Sequence, residues 1–286
     1  MLPDKIILSS NEDPTYFEFW PIVSWAYKKM FPSVEVCLAF VTKRTENDPV
    51  VIEARKYGTV VLFRPIDDVP EGHQAKVARF ILASTFPDLV SYIDDIDLFP
   101  LRSDFITDKF NRYDWHRHVR GGVWYNDILL CVGGEVYGFT GTYPISQMTA
   151  SGRVWAQFIN PKNLPYDQLI RSWKDKAQFD DRENINIWPD MVGDRQDYYF
   201  SDERLLKRLL FENPVPKLEL QRGYDNYLEA TIDRHTFNKE TGVWEFDHHK
   251  LKEGGYVNAH CVRPYSKYKE QFAPLFAYIN RNYGQG

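Results

Sequence analysis

Cysteine is scarce in this chain: Cys37, Cys131 and Cys261 are odd in number and widely spaced, which argues against a disulfide framework and leaves no zinc-ligand spacing. They read as ordinary buried or partly buried thiols. Long apolar runs are missing as well. No segment reaches the roughly 18 apolar residues of a membrane-spanning helix, and the start, Met1 to Ser10, turns polar too soon for a secretion signal, so a soluble, cytoplasmic protein is expected. Basic residues do not dominate: the net charge of -5 argues against nucleic-acid binding through a basic surface. A Walker-type glycine loop is absent, as are internal repeats, linkers and low-complexity tracts. What is present is a chain of 286 residues, 43% hydrophobic and 26% charged, enough for one large domain or two small ones. Without a linker, one domain over 1–286 is the economical reading.

The first hundred residues alternate between strand and helix patterns. Lys5 to Ser10, Val34 to Thr42, Thr59 to Ile66 and Leu89 to Ile93 read as strands, and Tyr16 to Met30, Asp48 to Tyr57 and His73 to Thr85 as the helices between them. Such repetition predicts an α/β fold with a mostly parallel sheet, whose ligands collect at the carboxyl ends of the strands. After Pro100 the rhythm changes. Ile128 to Phe139 has strand character broken by Gly133-Gly134, Met148 to Ile159 and Ser201 to Phe211 read as helices, Tyr224 to Glu245 as weak strands, and Lys269 to Ile279 as a final helix.

At the end of the fourth strand stand Asp94, Asp95 and Asp97, in Ser91-Tyr-Ile-Asp-Asp-Ile-Asp-Leu-Phe-Pro100. Three carboxylates so close repel one another, and a bound cation or a very wet setting is needed to hold them together. Hard divalent ions, magnesium or manganese, take oxygen ligands and share them with substrate phosphates.

This order of elements resembles the GT-A glycosyltransferases, α/β Rossmann-like enzymes that transfer a sugar from a nucleotide diphosphate sugar. The resemblance spans almost the whole chain. It divides the chain into a nucleotide-binding half, 1–100, and an acceptor-side half, 101–286, that ends in a metal and diphosphate segment. It makes Asp95-Ile96-Asp97 the family's Asp-x-Asp motif, with Asp94 an extra acid, and implies that Asp95 and Asp97 bind the metal, Asp95 also touching the donor. In Asn258-Ala-His260-Cys-Val-Arg263-Pro264-Tyr265 it implies that His260 completes the Mn2+ or Mg2+ shell and that Arg263 holds the diphosphate, with His248 and His249 as competing ligands. Ser9, Ser10 and Asn11 close the first strand beneath the expected nucleotide, Tyr16 is near enough to stack, and Lys76 and Arg79 lie on the helix from which relatives reach the donor; a capped turn by Asn11 or Asp13 and a solvated helix face are the structural readings of the same residues. Asp202 and Glu203 match the family's acidic helix start and are the expected catalytic carboxylates, ahead of Asp190, Asp194 and Asp197. The resemblance implies a UDP-sugar donor and a hydroxyl of a glycan or other acceptor. Two other classes fit the acids: a metal-dependent nucleotidyltransferase or phosphatase, and a non-catalytic protein that binds nucleotide sugars or carbohydrate.

Overall fold

A computed structural model of the chain describes residues 2–111, 129–132, 146–174, 201–213, 217–220 and 230–284. The βαβ rhythm of the first hundred residues is there as β1 (Lys5–Ser10), α1 (Pro14–Phe17), α2 (Trp20–Met30), β2 (Glu35–Val41), α3 (Pro49–Ala54), β3 (Thr59–Phe63), α4 (Glu71–Ser84) and β4 (Val90–Ile93). Next come β5 (Leu98–Pro100), α5 (Ser103–Asn111), β6 (Leu129–Val132), β7 (Met148–Ser151), α6 (Gly152–Ile159), α7 (Tyr166–Lys174), α8 (Ser201–Glu212) and β8 (Lys217–Leu220). The chain closes with β9 (Thr231–Ile232), β10 (Phe237–Asn238), β11 (Val243–Trp244), α9 (His248–Lys252), β12 (Asn258–His260), α10 (Tyr265–Tyr268) and α11 (Ala273–Tyr283).

The main sheet has the order β3-β2-β1-β4-β7-β6-β8. Strands β3, β2, β1 and β4 are parallel, β7 is antiparallel to both neighbours, and β6 is parallel to β8. This is the mostly parallel α/β architecture expected from the sequence. Side chains alternate between two cores: Ile6, Leu8, Val36, Leu38 and Phe40 pack with residues of α2 and α11, while Ile7, Cys37, Ala39 and Val41 pack with residues of α4 and α6. Burial on both faces explains why these strands read as nearly continuous apolar runs. A smaller sheet, β5-β12-β9, joins the first core through Phe99, Ala259 and Ile232. Among the described residues no helix is long and apolar enough to cross a membrane.

Several expected elements are divided differently. The helix expected over Met148 to Ile159 is a strand followed by a helix. Its first four residues pair antiparallel with β4, and Ser151, extended at φ -70 and ψ 157, caps α6 by accepting from Val154 N. Gly152 permits the turn between them, since a Cβ there would lie 2.1 Å from the Phe86 carbonyl oxygen. The helix expected over Tyr16 to Met30 is two helices, the second with a proline in its first turn, and that expected over Lys269 to Ile279 begins as a 3-10 turn, Lys269–Phe272, before α11. Strand β5 was not foreseen. Gly133-Gly134, Tyr224 to Glu229 and the acids Asp190, Asp194 and Asp197 lie outside the described residues.

Candidate active site

The two sheets meet at the acidic turn. Strand β4 ends at Ile93 beside Ile7 of β1, and the Asp94 N–H donates to the Ile7 carbonyl at 3.2 Å. Strand β5 starts at Leu98, which is paired antiparallel with His260 of β12. Because β9 lies parallel to β12, with Thr231 opposite Asn258 and Ile232 opposite Ala259, the chain leaving β9 and the chain leaving β12 emerge at the same end. Asp97, Arg234, His260 and Arg263 are thereby delivered to one place by backbone pairing alone.

The three acids do not crowd one another, because each faces a different partner. Buried Asp94 accepts from the Tyr27 hydroxyl at 2.6 Å and, at 3.5 Å, from that of Tyr92. Asp95 accepts from Arg79 Nη1 at 2.6 Å, and the same nitrogen donates to the Asp94 carbonyl at 2.7 Å. Asp97 Oδ2 lies 3.1 Å from Arg234 Nη1 and 3.5 Å from both His260 Nε2 and Arg263 Nη1. The protein's own donors therefore relieve the repulsion for which the sequence alone called on a cation or a very wet setting. Burial by itself would raise the Asp97 pKa, but the hydrogen bond and charge of His260, followed by the charges of Arg263 and Arg234, hold it well below the usual carboxylate range. Asp97 is an anion at neutral pH.

Side-chain exposure rises from 7% at Asp97 through 14% at Arg234 and 19% at Arg263 to 29% at His260, so the cluster opens to solvent on the imidazole side. The Arg263 guanidinium also lies 4.7 Å from the ring centre of Tyr16, which ties the β12 segment to α1. At the end of β1, Ser9 and Ser10 are buried, and Asn11 accepts from the Asp13 N–H at 3.3 Å while Asp13 caps α1 through Thr15 N. Lys76 is half-buried on α4, and Arg79 is buried beneath the acidic turn. His248 and His249 open an exposed helix capped by Asp247, and His260 is the histidine facing Asp97. Asp202 and Glu203 stand in the first turn of α8, with side chains outside the described set. Cys37 and Cys261 are free and buried; burial pushes the Cys37 thiol up to about 12, and burial with the charge of Asp97 pushes Cys261 well above the ordinary range. Neither is a nucleophile at neutral pH.

Sequence reasoning missed two residues here. Arg234 follows Asp233, which caps a 3-10 turn; the cap is legible in Asp233-Arg-His-Thr, but nothing local points the arginine at Asp97. Tyr27 falls on the apolar stripe of α2 and looks like any core aromatic. Gln147, buried with φ +61, precedes Met148, the partner of Ile93, and so stands at the sheet edge that carries Asp94.

No protein-family model and no curated protein matches the chain. Among solved structures it is similar to the apo-form glycosyltransferase GlyE of Streptococcus pneumoniae TIGR4, with 11% identity and a TM-score of 0.47 over 100% of this chain and 64% of that one. The chain thus spans just under two thirds of the length of GlyE. It is also similar to the galactosyltransferase LgtC in complex with donor and acceptor sugar analogs, with 11% identity and a TM-score of 0.44 over 97% of this chain and 95% of that one.

Proposed function

We propose that this chain is a glycosyltransferase of the GT-A type, moving a sugar from a nucleotide diphosphate sugar, UDP-linked, to a hydroxyl of a glycan or other acceptor. One observation carries the reading: an ionised, buried carboxylate, an imidazole and two guanidiniums converge at the carboxyl end of β4, where an open parallel sheet binds its ligands. That combination suits a diphosphate with a divalent counter-ion. The free, buried Cys37 and Cys261 suit a reducing compartment such as the cytoplasm.

Mn2+ and Mg2+ call for oxygen ligands, with imidazole also acceptable to manganese. Among the described residues no three His, Cys, Asp or Glu side chains gather into a ready cage. Such ions, however, are commonly held by one or two carboxylates with the remaining places taken by substrate phosphates and water. Asp97 and His260, 3.5 Å apart, fit that partial set, and Asp95 on the same turn keeps a third of its side chain exposed. When bound, the ion would act as a Lewis acid on the departing diphosphate.

The protein's own part is electrostatic and positional. Negative charge grows on the diphosphate as the sugar carbon separates from it, and Arg263, already placed beside Asp97, donates in a fork that matches phosphate oxygens. Ser9 and Asn11 offer short polar groups at the end of β1 for the nucleoside. Arg79 acts one layer beneath, fixing the turn by gripping Asp94 and Asp95 together. Asp202 or Glu203 is assigned to the reacting sugar or acceptor, as a base or a positioning group, with the positive end of α8 favouring its ionised form.

The test is thermal melting and calorimetry of the full chain with nucleoside diphosphates, with and without manganese, followed by NMR of the products formed from any nucleotide sugar that binds. Melting should rise most with metal and nucleotide together, and a sugar should appear on the acceptor. Release of phosphate without glycosyl transfer would replace this reading with phosphohydrolase chemistry; tight donor binding without turnover would leave a binding protein.

A further inference from the structure

Arg234 carries a meaning that no sequence motif marks. We propose that it is a second phosphate-binding residue which, together with Arg263, clamps the diphosphate of the donor from the side of the small sheet. The inference rests on the glycosyl-transfer reading and adds a residue to it.

The first ground is placement. Parallel pairing of β9 with β12 sends the segments that follow them out of the same end, so Arg234 and Arg263 arrive as neighbours although they are far apart in sequence. The second is rigidity. Asp233 caps the 3-10 turn by accepting from His235 N at 2.9 Å, and its carbonyl is held by the Trp244 indole N–H at 2.9 Å, so the residue before Arg234 is fixed at both ends. The third is charge. Two guanidiniums converge on one oxygen of Asp97, at 3.1 and 3.5 Å, which concentrates positive charge where the phosphates would sit. The fourth is depth: at 14% exposure Arg234 is desolvated enough for its charge to act strongly, while still meeting solvent. A diphosphate entering beside Asp97 would find a fork on each side.

The competing role is purely structural, with Arg234 serving only to neutralise Asp97. Calorimetry with UDP, UMP and inorganic pyrophosphate, in manganese-containing and chelator-containing buffer, separates the two when wild type is compared with Arg234→Gln and Arg234→Lys. A clamp loses roughly 10- to 100-fold in affinity for UDP and pyrophosphate in Arg234→Gln, loses less for UMP, and recovers in part in Arg234→Lys. UDP affinity within about twofold of wild type in a folded Arg234→Gln overturns the clamp. If Arg234→Gln does not fold, Arg234→Lys decides, because it keeps the charge and loses the fork: unchanged pyrophosphate affinity with an unchanged melting temperature overturns the proposal. Wild-type protein that binds neither UDP nor pyrophosphate in either buffer removes the underlying functional reading along with it.

Discussion

The Tyr27 hydroxyl donates to Asp94 Oδ2 at 2.6 Å, joining the buried face of α2 to the first acid of the turn after β4. Burial, reinforced by the Asp94 charge, pushes the Tyr27 phenol well above its usual range, so it stays a donor at every physiological pH. The bond turns Asp94 toward α2, while Asp95 faces Arg79 and Asp97 faces Arg234. Asp94, the acid without a place in the Asp-x-Asp pattern, is the anchor.

Tyr27→Phe tests the anchor while keeping the ring. The buried Asp94 carboxylate loses its shortest side-chain donor, and the contact from Tyr92 at 3.5 Å is a poor substitute. A loss of about 1–3 kcal/mol is expected in urea unfolding, with weaker nucleoside diphosphate binding as the turn loosens. Stability equal to wild type would mean that Asp94 is held by other means.

Arg79 tests the next layer. A single nitrogen satisfies a backbone carbonyl and the Asp95 carboxylate, and its side chain is only 3% exposed. Arg79→Lys keeps a charge but not the planar fork. It should cost about 1–2 kcal/mol, discounted from a fully buried pair because Asp95 is a third exposed. It should also lower donor affinity more than acceptor affinity. Equal loss for both substrates would indicate general loosening and no link to the donor side.

His73 predicts an acid-sensitive stability unconnected with catalysis. Burial, followed by the nearby charge of Lys76, lowers its pKa to about 3 in the folded chain, against about 6.5 when unfolded. Between those values the unfolded chain takes a proton that the folded chain refuses, so stability is full above about pH 6.5 and falls as the pH drops toward 3. The carboxylate of Asp97 contributes in a lower window: its folded pKa is depressed, so its stabilisation is present above the ordinary carboxylate range and is lost on further acidification. Chemical unfolding at pH 7 and pH 5 should therefore show a smaller drop for His73→Gln than for wild type. Identical drops would assign the acid sensitivity elsewhere.

How much of this was legible in the sequence follows from the range of the interactions. Strands buried on both faces, such as Val36 to Val41, announce themselves by composition, and Asp94 to Asp97 by their density at a strand end. Met148 to Ser151 did not: four residues with one strong apolar side chain join a sheet only because β4 offers an unpaired edge, which a local pattern cannot register. Arg234 and Tyr27 were invisible for the same reason. Their significance lies in partners 137 and 67 positions away. His260 and Arg263 could be named because Asn258 to Tyr265 resembles a family pattern, whereas their approach to Asp97 depends on the β5–β12 register.

The acidic start of α8 supplies the last prediction, because two roles for it have different signatures. Ser201–Glu212 is a helix whose buried Leu205, Leu206, Leu209 and Leu210 pack against the core shared with α4 and α6, so its frame is fixed independently of Asp202 and Glu203. If either carboxylate acts on the acceptor or the reacting sugar, replacing it with Ala should lower turnover by roughly 100-fold or more while donor affinity stays near wild type. If both serve only the helix start, each replacement costs up to about 1 kcal/mol of stability through the lost interaction with the helix dipole, and turnover survives. Paired measurement of transfer rate and donor affinity for Asp202→Ala and Glu203→Ala separates these outcomes. Wild-type rates in both variants would take α8 out of the chemistry and move the search for the acceptor-side carboxylate to Asp190, Asp194 and Asp197.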